Sequence, residues 1–164
     1  MSFNIIENFL PENQSTEIED FLSDNNFPWF YRPSIGNKKD NQRFYFSHMF
    51  VDDKKVNSDF FGIIKKYIVD RLEFKILHRV KANLFVKENE NYASSSHVDY
   101  DFKHQFFSAI YYVNTNNGST LLNDKISVNS IKNRLLIFDG RLPHRAISQT
   151  DTKIRMNINF VFEE

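Results

Sequence analysis

The run KIRMNINFVF at residues 153–162 constrains the fold more than any other part of the chain. Its side chains alternate with a period of two, which is typical of a β-strand with one face against an apolar core. The apolar face carries Ile154, Met156, Ile158, Phe160 and Phe162. The other face carries Arg155, Asn157 and Asn159. Those polar residues fit an exposed outer face. They fit equally well the interior of a barrel that helices cover from outside.

The periodicity of the chain changes along its length. Apolar residues recur at helical spacing after Pro11, and again over 60–72 after Ser58, a good N-cap residue. From about Leu77 onward the pattern changes to short β-rich runs separated by turn residues. These runs are VKANLFVK, QFFSAIYYV, STLL, RLLIF, HRAIS and KIRMNINFVF. The sequence predicts an α+β, mainly β fold in one domain over 1–164, with a support region of helices and strands at 1–76 and a β core at 77–162.

Charge and composition exclude several classes of function. The 21 Lys and Arg balance the 21 Asp and Glu, so no positive field favours nucleic acid as a partner. The chain has no cysteine, which excludes disulfides, thiolate nucleophiles and Cys-ligated metals. No run approaches the ~20 apolar residues that span a bilayer, and the first residues lack the pattern of a signal peptide. We expect a cytoplasmic protein without a membrane partner, and the oligomeric state is left open.

Two histidines and one carboxylate are candidate metal ligands. The triplet at 97–99 places the imidazole of His97 and the carboxylate of Asp99 on one face of a strand end, although such triplets are common by chance. His144 follows a β-rich run, an Asp-Gly turn and a proline that fixes the backbone before it. Two His and one carboxylate form the facial triad of non-haem iron(II), and hydrolytic zinc would accept a similar set.

Arg155 separates these two possibilities. It lies eleven residues after His144, on the polar face of the next strand. A guanidinium at this position can hold the far carboxylate of a dicarboxylic acid in a bidentate pair. Lys153 is basic and on the same face, but it lies nearer the turn and lacks the rigid fork of arginine.

With these residues the chain resembles the 2-oxoglutarate- and iron(II)-dependent dioxygenases. Their double-stranded β-helix, a jelly-roll or cupin-like barrel, carries His-x-Asp, a distal His and a basic residue about ten positions later. The resemblance covers about 77–162. It implies Fe(II) bound by His97, Asp99 and His144, 2-oxoglutarate bound by Arg155, dioxygen as a reactant, and N-terminal helices packed on the outer sheet. The implied reaction couples decarboxylation of oxoglutarate to succinate with hydroxylation of an aliphatic C–H bond.

Three more residues follow from this resemblance. The segment SAIYYVNTNNGST resembles the prolyl hydroxylase branch, where a strand ends Tyr-Leu-Asn before a turn with glycine. This implies that the Tyr112 hydroxyl binds the far carboxylate beside Arg155. KANLFV resembles the Asn-x-Tyr strand of related oxygenases and implies Asn83 near the co-substrate, although Phe85 replaces the tyrosine. Asn157 matches a polar position of the nucleic-acid demethylase branch.

The substrate is less constrained than the chemistry. Peptidyl proline is the first candidate, followed by a free amino acid or another small metabolite. A non-enzymatic β-barrel that binds metal or ligand is the rival of another class. Nucleic-acid demethylation is disfavoured by the zero net charge.

Other residues have simpler expected roles. Asp101 is an alternative metal ligand, but the family order His-x-Asp favours Asp99. His104 is expected to be exposed or to lie behind the ligands, and His48 and His78 are expected to be structural. The aromatic and basic residues of FPWFYRPS could form a substrate lip or pack in the core.

Overall fold

The computed structural model describes residues 3–35 and 43–164. It contains α1 (Glu12–Ser23), α2 (Phe61–Tyr67) and a 3-10 turn (Val69–Arg71). The strands are β1 (Phe3–Ile6), β2 (Phe30–Arg32), β3 (Tyr45–Asp52), β4 (Lys55–Val56), β5 (Ile76–Val86), β6 (Phe107–Tyr112), β7 (Ser119–Leu122), β8 (Ile126–Asn129), β9 (Arg134–Asp139), β10 (His144–Ile147) and β11 (Ile154–Glu163). The mainly β composition predicted from the sequence is confirmed.

The strands form two antiparallel sheets. The major sheet has the order β1-β9-β6-β11-β5-β3-β2, with β4 paired to β3, and the minor sheet has the order β10-β7-β8. From β6 to β11 the chain passes from the major sheet to the minor sheet and back twice. This winding is the predicted double-stranded β-helix.

The two helices cover the outer side of the major sheet. Ile158 and Phe160 of β11 are fully buried in one apolar cluster with Ile18 of α1 and Ile64 of α2. Burying such side chains stabilises the fold by about 1.5–3 kcal/mol each. The apolar face of β11 therefore packs beneath the helices, as expected, and its polar face is turned inward.

The region before the β core differs from expectation in its second helix. The helical pattern over 60–72 gives only α2 and the separate 3-10 turn, with Ile68 between them at φ −111° and ψ −56°. This region also contains strands, since β3 pairs directly with β5 and extends the major sheet. The strands β1, β4 and β8 were not predicted, and their pairing with β9, β3 and β7 decides their conformation.

Tyr111 joins the helical layer to the sheet. Its hydroxyl lies 3.1 Å from the Ser15 hydroxyl of α1 and donates to Asn133 Oδ1 at 3.2 Å. Asn133 in turn exchanges hydrogen bonds with both backbone groups of Leu10. Burial raises the pKa of Tyr111 to about 12, although the Ser15 hydrogen bond opposes this. The neutral phenol is therefore part of the folded structure.

We expect Tyr111 to make the protein sensitive to alkaline pH. An unfolded tyrosine titrates near pH 10, so the stability contributed by the neutral phenol is complete below pH 10 and is lost as the pH rises toward about 12. Between pH 8 and 11 the free energy of unfolding should fall by about 1 kcal/mol more in the parent than in Tyr111→Phe. Urea unfolding at both pH values measures this, with the exposed Tyr31→Phe as control. Equal losses in parent and Tyr111→Phe would contradict the assignment.

Candidate functional site

His97, Asp99 and His144 meet between the two sheets. The backbones of His97 and His144 form an isolated antiparallel bridge, with N···O distances of 3.0 and 2.9 Å, and their rings lie 4.6 Å apart. Asp99 Oδ2 lies 3.7 Å from His144 Nε2. One ligand atom from each side chain lies within 4.8 Å of the others, and no second group of this kind occurs in residues 3–35 and 43–164. Asp101 is exposed and does not belong to this group.

The turn before β10 positions His144. The Asp139 carboxylate accepts a hydrogen bond from the backbone N–H of Arg141 at 3.0 Å, the turn role expected for this aspartate. The Gly140 N–H donates to the Phe106 carbonyl at 2.8 Å. A Cβ on Gly140 would lie 2.0 Å from the Phe106 ring, so only glycine allows the chain to turn this closely.

The hydrogen bonds of the two imidazoles leave their Nε2 atoms for a metal ion. Nδ1 of His97 lies 3.4 Å from the Ser95 carbonyl, and Nδ1 of His144 lies 3.2 Å from the Leu142 carbonyl. A carbonyl accepts only from a protonated Nδ1, which places the lone pair on Nε2. Burial lowers the pKa of His97, and the nearby His144 lowers it further, so the neutral, metal-binding form is favoured.

Asp99 supplies a buried carboxylate. Burial alone would raise its pKa, but the Arg79 guanidinium, paired with Oδ1, and His144 together hold that pKa well below its usual range. The Ser108 hydroxyl contributes in the same direction by donating to Oδ2 at 2.8 Å. One ionised carboxylate and two imidazoles form a donor set that fits iron(II) and leaves other coordination positions open.

The cavity beside this triad is lined by both sheets. The polar face of β11 contributes Arg155, Asn157 and Asn159, so the interior alternative for this face is the correct one. β5 contributes Lys81, Asn83 and Phe85, and the minor sheet contributes Thr120, His144, Arg145 and Ala146. The cavity therefore extends from the triad to Arg155.

Arg155 is 1% exposed at one end of this cavity. Its guanidinium donates to Ser130 Oγ at 3.0 Å and to the carbonyls of Ile147 and Ser119 at 3.1 Å each. All three acceptors are neutral, and no carboxylate of the described residues pairs with it. A Cβ on Gly118 would lie 3.2 Å from Arg155 Cδ, so glycine leaves room for this side chain. A buried, unneutralised guanidinium is a binding point for a ligand carboxylate.

The other predicted site residues lie nearby in different roles. Asn83 Nδ2 donates to Asn157 Oδ1 at 2.9 Å, and both residues line the cavity. The Tyr112 hydroxyl donates to Thr120 Oγ1 at 2.8 Å; Thr120 lines the cavity, whereas Tyr112 is fully buried and does not line it. Burial raises the pKa of Tyr112, and the positive charge of the nearby Arg155 opposes this rise.

Sequence reasoning missed four residues of the site. Arg79 and Ser108 hold Asp99, while Lys81 and Tyr45 line the cavity. The signal for two of them was present, because Arg79 and Lys81 share the strand face of Asn83 by alternation. The Tyr45 ring stacks on Phe85 at 5.4 Å, so β3 brings a tyrosine to the place where β5 lacks one. The sequence alone does not indicate this role of Tyr45, because it depends on the pairing of β3 with β5.

The remaining histidines are structural, as expected for His48 and His78. The ring nitrogens of His48 lie 2.7 Å from the Pro28 carbonyl and 2.7 Å from Ser58 Oγ. His78 Nε2 lies 2.5 Å from Glu163 Oε1. The exposed His104 lies 3.0 Å from the same oxygen and does not belong to the triad.

The segment FPWFYRPS divides between core and surface. Trp29 packs against Phe27 and donates its indole N–H to the Leu22 carbonyl at 3.1 Å. Tyr31 is 60% exposed, and Arg32 donates to Ser47 Oγ at 2.8 Å. Lys153 is exposed and lies just before β11, so, contrary to expectation, it is not on the strand face of Arg155.

Comparison with known proteins supports the fold. No family model and no curated protein matches the sequence. An oxidoreductase of the 2OG-Fe(II) oxygenase family from Burkholderia pseudomallei matches with a TM-score of 0.71 and 10% identity, over 98% of this chain and 84% of the other. A Trichoplax adhaerens prolyl hydroxylase, solved with a hypoxia inducible factor peptide, matches with a TM-score of 0.67 and 17% identity, over 98% of this chain and 83% of the other. A Pseudomonas putida prolyl-4-hydroxylase matches with a TM-score of 0.61 and 14% identity, over 99% of this chain and 92% of the other.

At these identities the likeness concerns the fold, which is the double-stranded β-helix of the 2-oxoglutarate- and iron(II)-dependent oxygenases. The resemblance inferred from sequence is confirmed at this level. Within this fold, His97, Asp99 and His144 form the candidate facial triad. In the described residues, neither helix has the length and apolar composition needed to cross a membrane.

Proposed function

We propose that the protein is an iron(II)- and 2-oxoglutarate-dependent oxygenase that hydroxylates an aliphatic C–H bond. The observation that carries this proposal is one cavity lined by His97, His144 and a buried Arg155, with Asp99 beside both imidazoles. A hydrolytic zinc site needs His97, Asp99 and His144 but has no use for the unneutralised Arg155 guanidinium. A barrel that only binds metal or ligand has no need for His97, Asp99, His144 and Arg155 together.

His97, Asp99 and His144 would hold the iron. When bound, iron(II) supplies dioxygen activation coupled to decarboxylation of the 2-oxo acid. The chain keeps Asp99 ionised through Arg79 and Ser108, and it orients both imidazoles through backbone carbonyls. These contacts hold the ligands ready for the metal, so little rearrangement is needed on binding.

Arg155 would bind the far carboxylate of oxoglutarate. Because the guanidinium is already fixed by three neutral acceptors, a carboxylate would gain a strong pair at little entropic cost. Asn83 and Asn157 line the path between this end and the triad. In this proposal they bind the co-substrate, and Tyr112 supports its far carboxylate with Thr120.

Two substrate classes fit the pocket. Peptidyl proline is supported by the prolyl hydroxylases among the proteins of similar fold. A free amino acid or another small metabolite is favoured by the amine of Lys81, which lines the cavity. We predict that nucleic acid is not a substrate, since the chain has zero net charge. The cytoplasmic location also stays a prediction.

Succinate release under air tests the proposed function. The protein is supplied with iron(II), ascorbate and oxoglutarate, together with a panel of proline peptides, free amino acids and small metabolites. We expect at least one compound to raise succinate formation and to gain one oxygen atom by mass spectrometry. Metal and oxoglutarate binding without succinate from any compound would favour the non-enzymatic barrel instead.

A further inference from the structure

Lys81 places a partly buried ammonium group in the cavity without an anion of its own. The residue lies on β5, in register with Asn159 of β11 and Met49 of β3. In the described parts of the chain, no side chain or carbonyl accepts a hydrogen bond from its ammonium, which lies 5.8 Å from the centre of the Tyr45 ring. A cation that lines a cavity and has no paired anion is a favourable partner for a ligand anion.

The charges around Lys81 strengthen this preference. Burial lowers the pKa of Lys81 to about 8, the positive charges of Arg79 and Arg32 add to the effect, and Asp99 and Asp52 oppose it. Arg79 is already paired with Asp99, whereas Arg32 donates only to the neutral Ser47 hydroxyl. This side of the cavity therefore carries surplus positive charge.

Lys81 is separated from the guanidinium that we assign to oxoglutarate. Arg155 is in register with Phe85, four residues along β5 from Lys81. At ~3.4 Å per residue, the two backbone levels lie about 14 Å apart. The two cations thus serve different parts of the cavity, and Arg155 suffices for the far carboxylate of the co-substrate.

A buried acceptor lies beside the amine. Asn159 Oδ1 has no hydrogen-bond donor among the described residues, and its backbone is directly opposite Lys81 in the sheet. An N–H donor of a ligand would satisfy this oxygen. A carboxylate for Lys81 and an ammonium for Asn159 are the two ends of a free α-amino acid.

We propose that Lys81 binds the carboxylate of a free amino acid substrate and that Asn159 Oδ1 accepts a hydrogen bond from its ammonium group. This inference rests on the proposed oxygenase function and names its substrate class. It ranks a free amino acid above peptidyl proline, whose carboxyl group is a neutral amide.

Calorimetric binding under argon tests the inference without turnover. The protein is loaded with Mn(II) and oxoglutarate and titrated with free amino acids and with the amides of the same amino acids. In the parent, at least one acid should bind about 10- to 100-fold more tightly than its amide, because a charge-assisted hydrogen bond is lost in the amide. Lys81→Met should remove this preference by weakening only the acid. The exposed Lys87→Met serves as the matched control and should behave as the parent.

Three outcomes would overturn the assignment. The first is that no free amino acid binds more tightly than its amide. The second is that Lys81→Met retains the parent's preference for the acid. The third is that Lys81→Met weakens oxoglutarate as strongly as the amino acid, which would assign the amine to the co-substrate. Thermal unfolding of both variants shows whether the fold is intact.

Failure of the proposed function is seen separately, either as oxoglutarate binding without succinate release from any compound or as absent oxoglutarate binding in the parent. In the second case the amino acid titration is repeated on the Mn(II) form alone. If the Mn(II) form alone binds the acid more tightly than the amide and Lys81→Met removes this preference, the amino acid site is supported. If the preference is absent, the site is rejected.

Discussion

Asp99→Ala is expected to lower the affinity of the protein for iron(II) by at least about 100-fold and to abolish turnover. Two imidazoles alone compete poorly with water for a divalent ion, and the Arg79 guanidinium beside the site would then repel the metal. His97→Ala and His144→Ala should lose the metal for the same reason of ligand count. Calorimetry with Mn(II) or Co(II) under argon measures the affinity directly.

Asp101→Ala is the matched control for this prediction, because Asp101 is an exposed aspartate two residues further along the same loop. It should bind metal as the parent does. The ligand assignment is wrong if Asp101→Ala loses the metal while Asp99→Ala keeps it. Asp99→Asn, which retains the side-chain volume beside Arg79 and Ser108, separates loss of the ligand charge from loss of packing.

Arg155→Met should leave the metal site intact and weaken oxoglutarate binding by about 2–5 kcal/mol, the usual cost of truncating one partner of a buried charged pair. Succinate release should fall with it. The reason is that Arg155 is buried among neutral acceptors and is the cation at its end of the cavity. Oxoglutarate titration of the anaerobic iron form gives the affinity.

Lys153→Met removes an exposed cation just before the same strand and should change little. Because Arg155 also holds the carbonyls of Ile147 and Ser119, thermal unfolding and metal affinity of Arg155→Met show whether the barrel is preserved. Oxoglutarate affinity equal to that of the parent, in a folded variant, would reject Arg155 as the carboxylate-binding residue.

The sequence determined the local part of this structure. The period of two in β11 required a strand with unlike faces, and helical spacing after Pro11 required α1. The triplet at 97–99 places an imidazole and a carboxylate two residues apart, on one side of the chain. The turn before His144 determines the position of the third ligand. These features depend on residues close together in the chain, so their pattern is readable without the fold.

Only the tertiary structure decided which face of β11 is inside. Either face assignment satisfied the alternation, and the packing of α1 and α2 against Ile158 and Phe160 turned Arg155 inward. Likewise, Tyr45 reaches Phe85 and Arg79 reaches Asp99 because strands and loops distant in sequence become neighbours. The physical reason is that burial and charge compensation depend on what lies across the cavity, and residues 20 or more positions apart supply it.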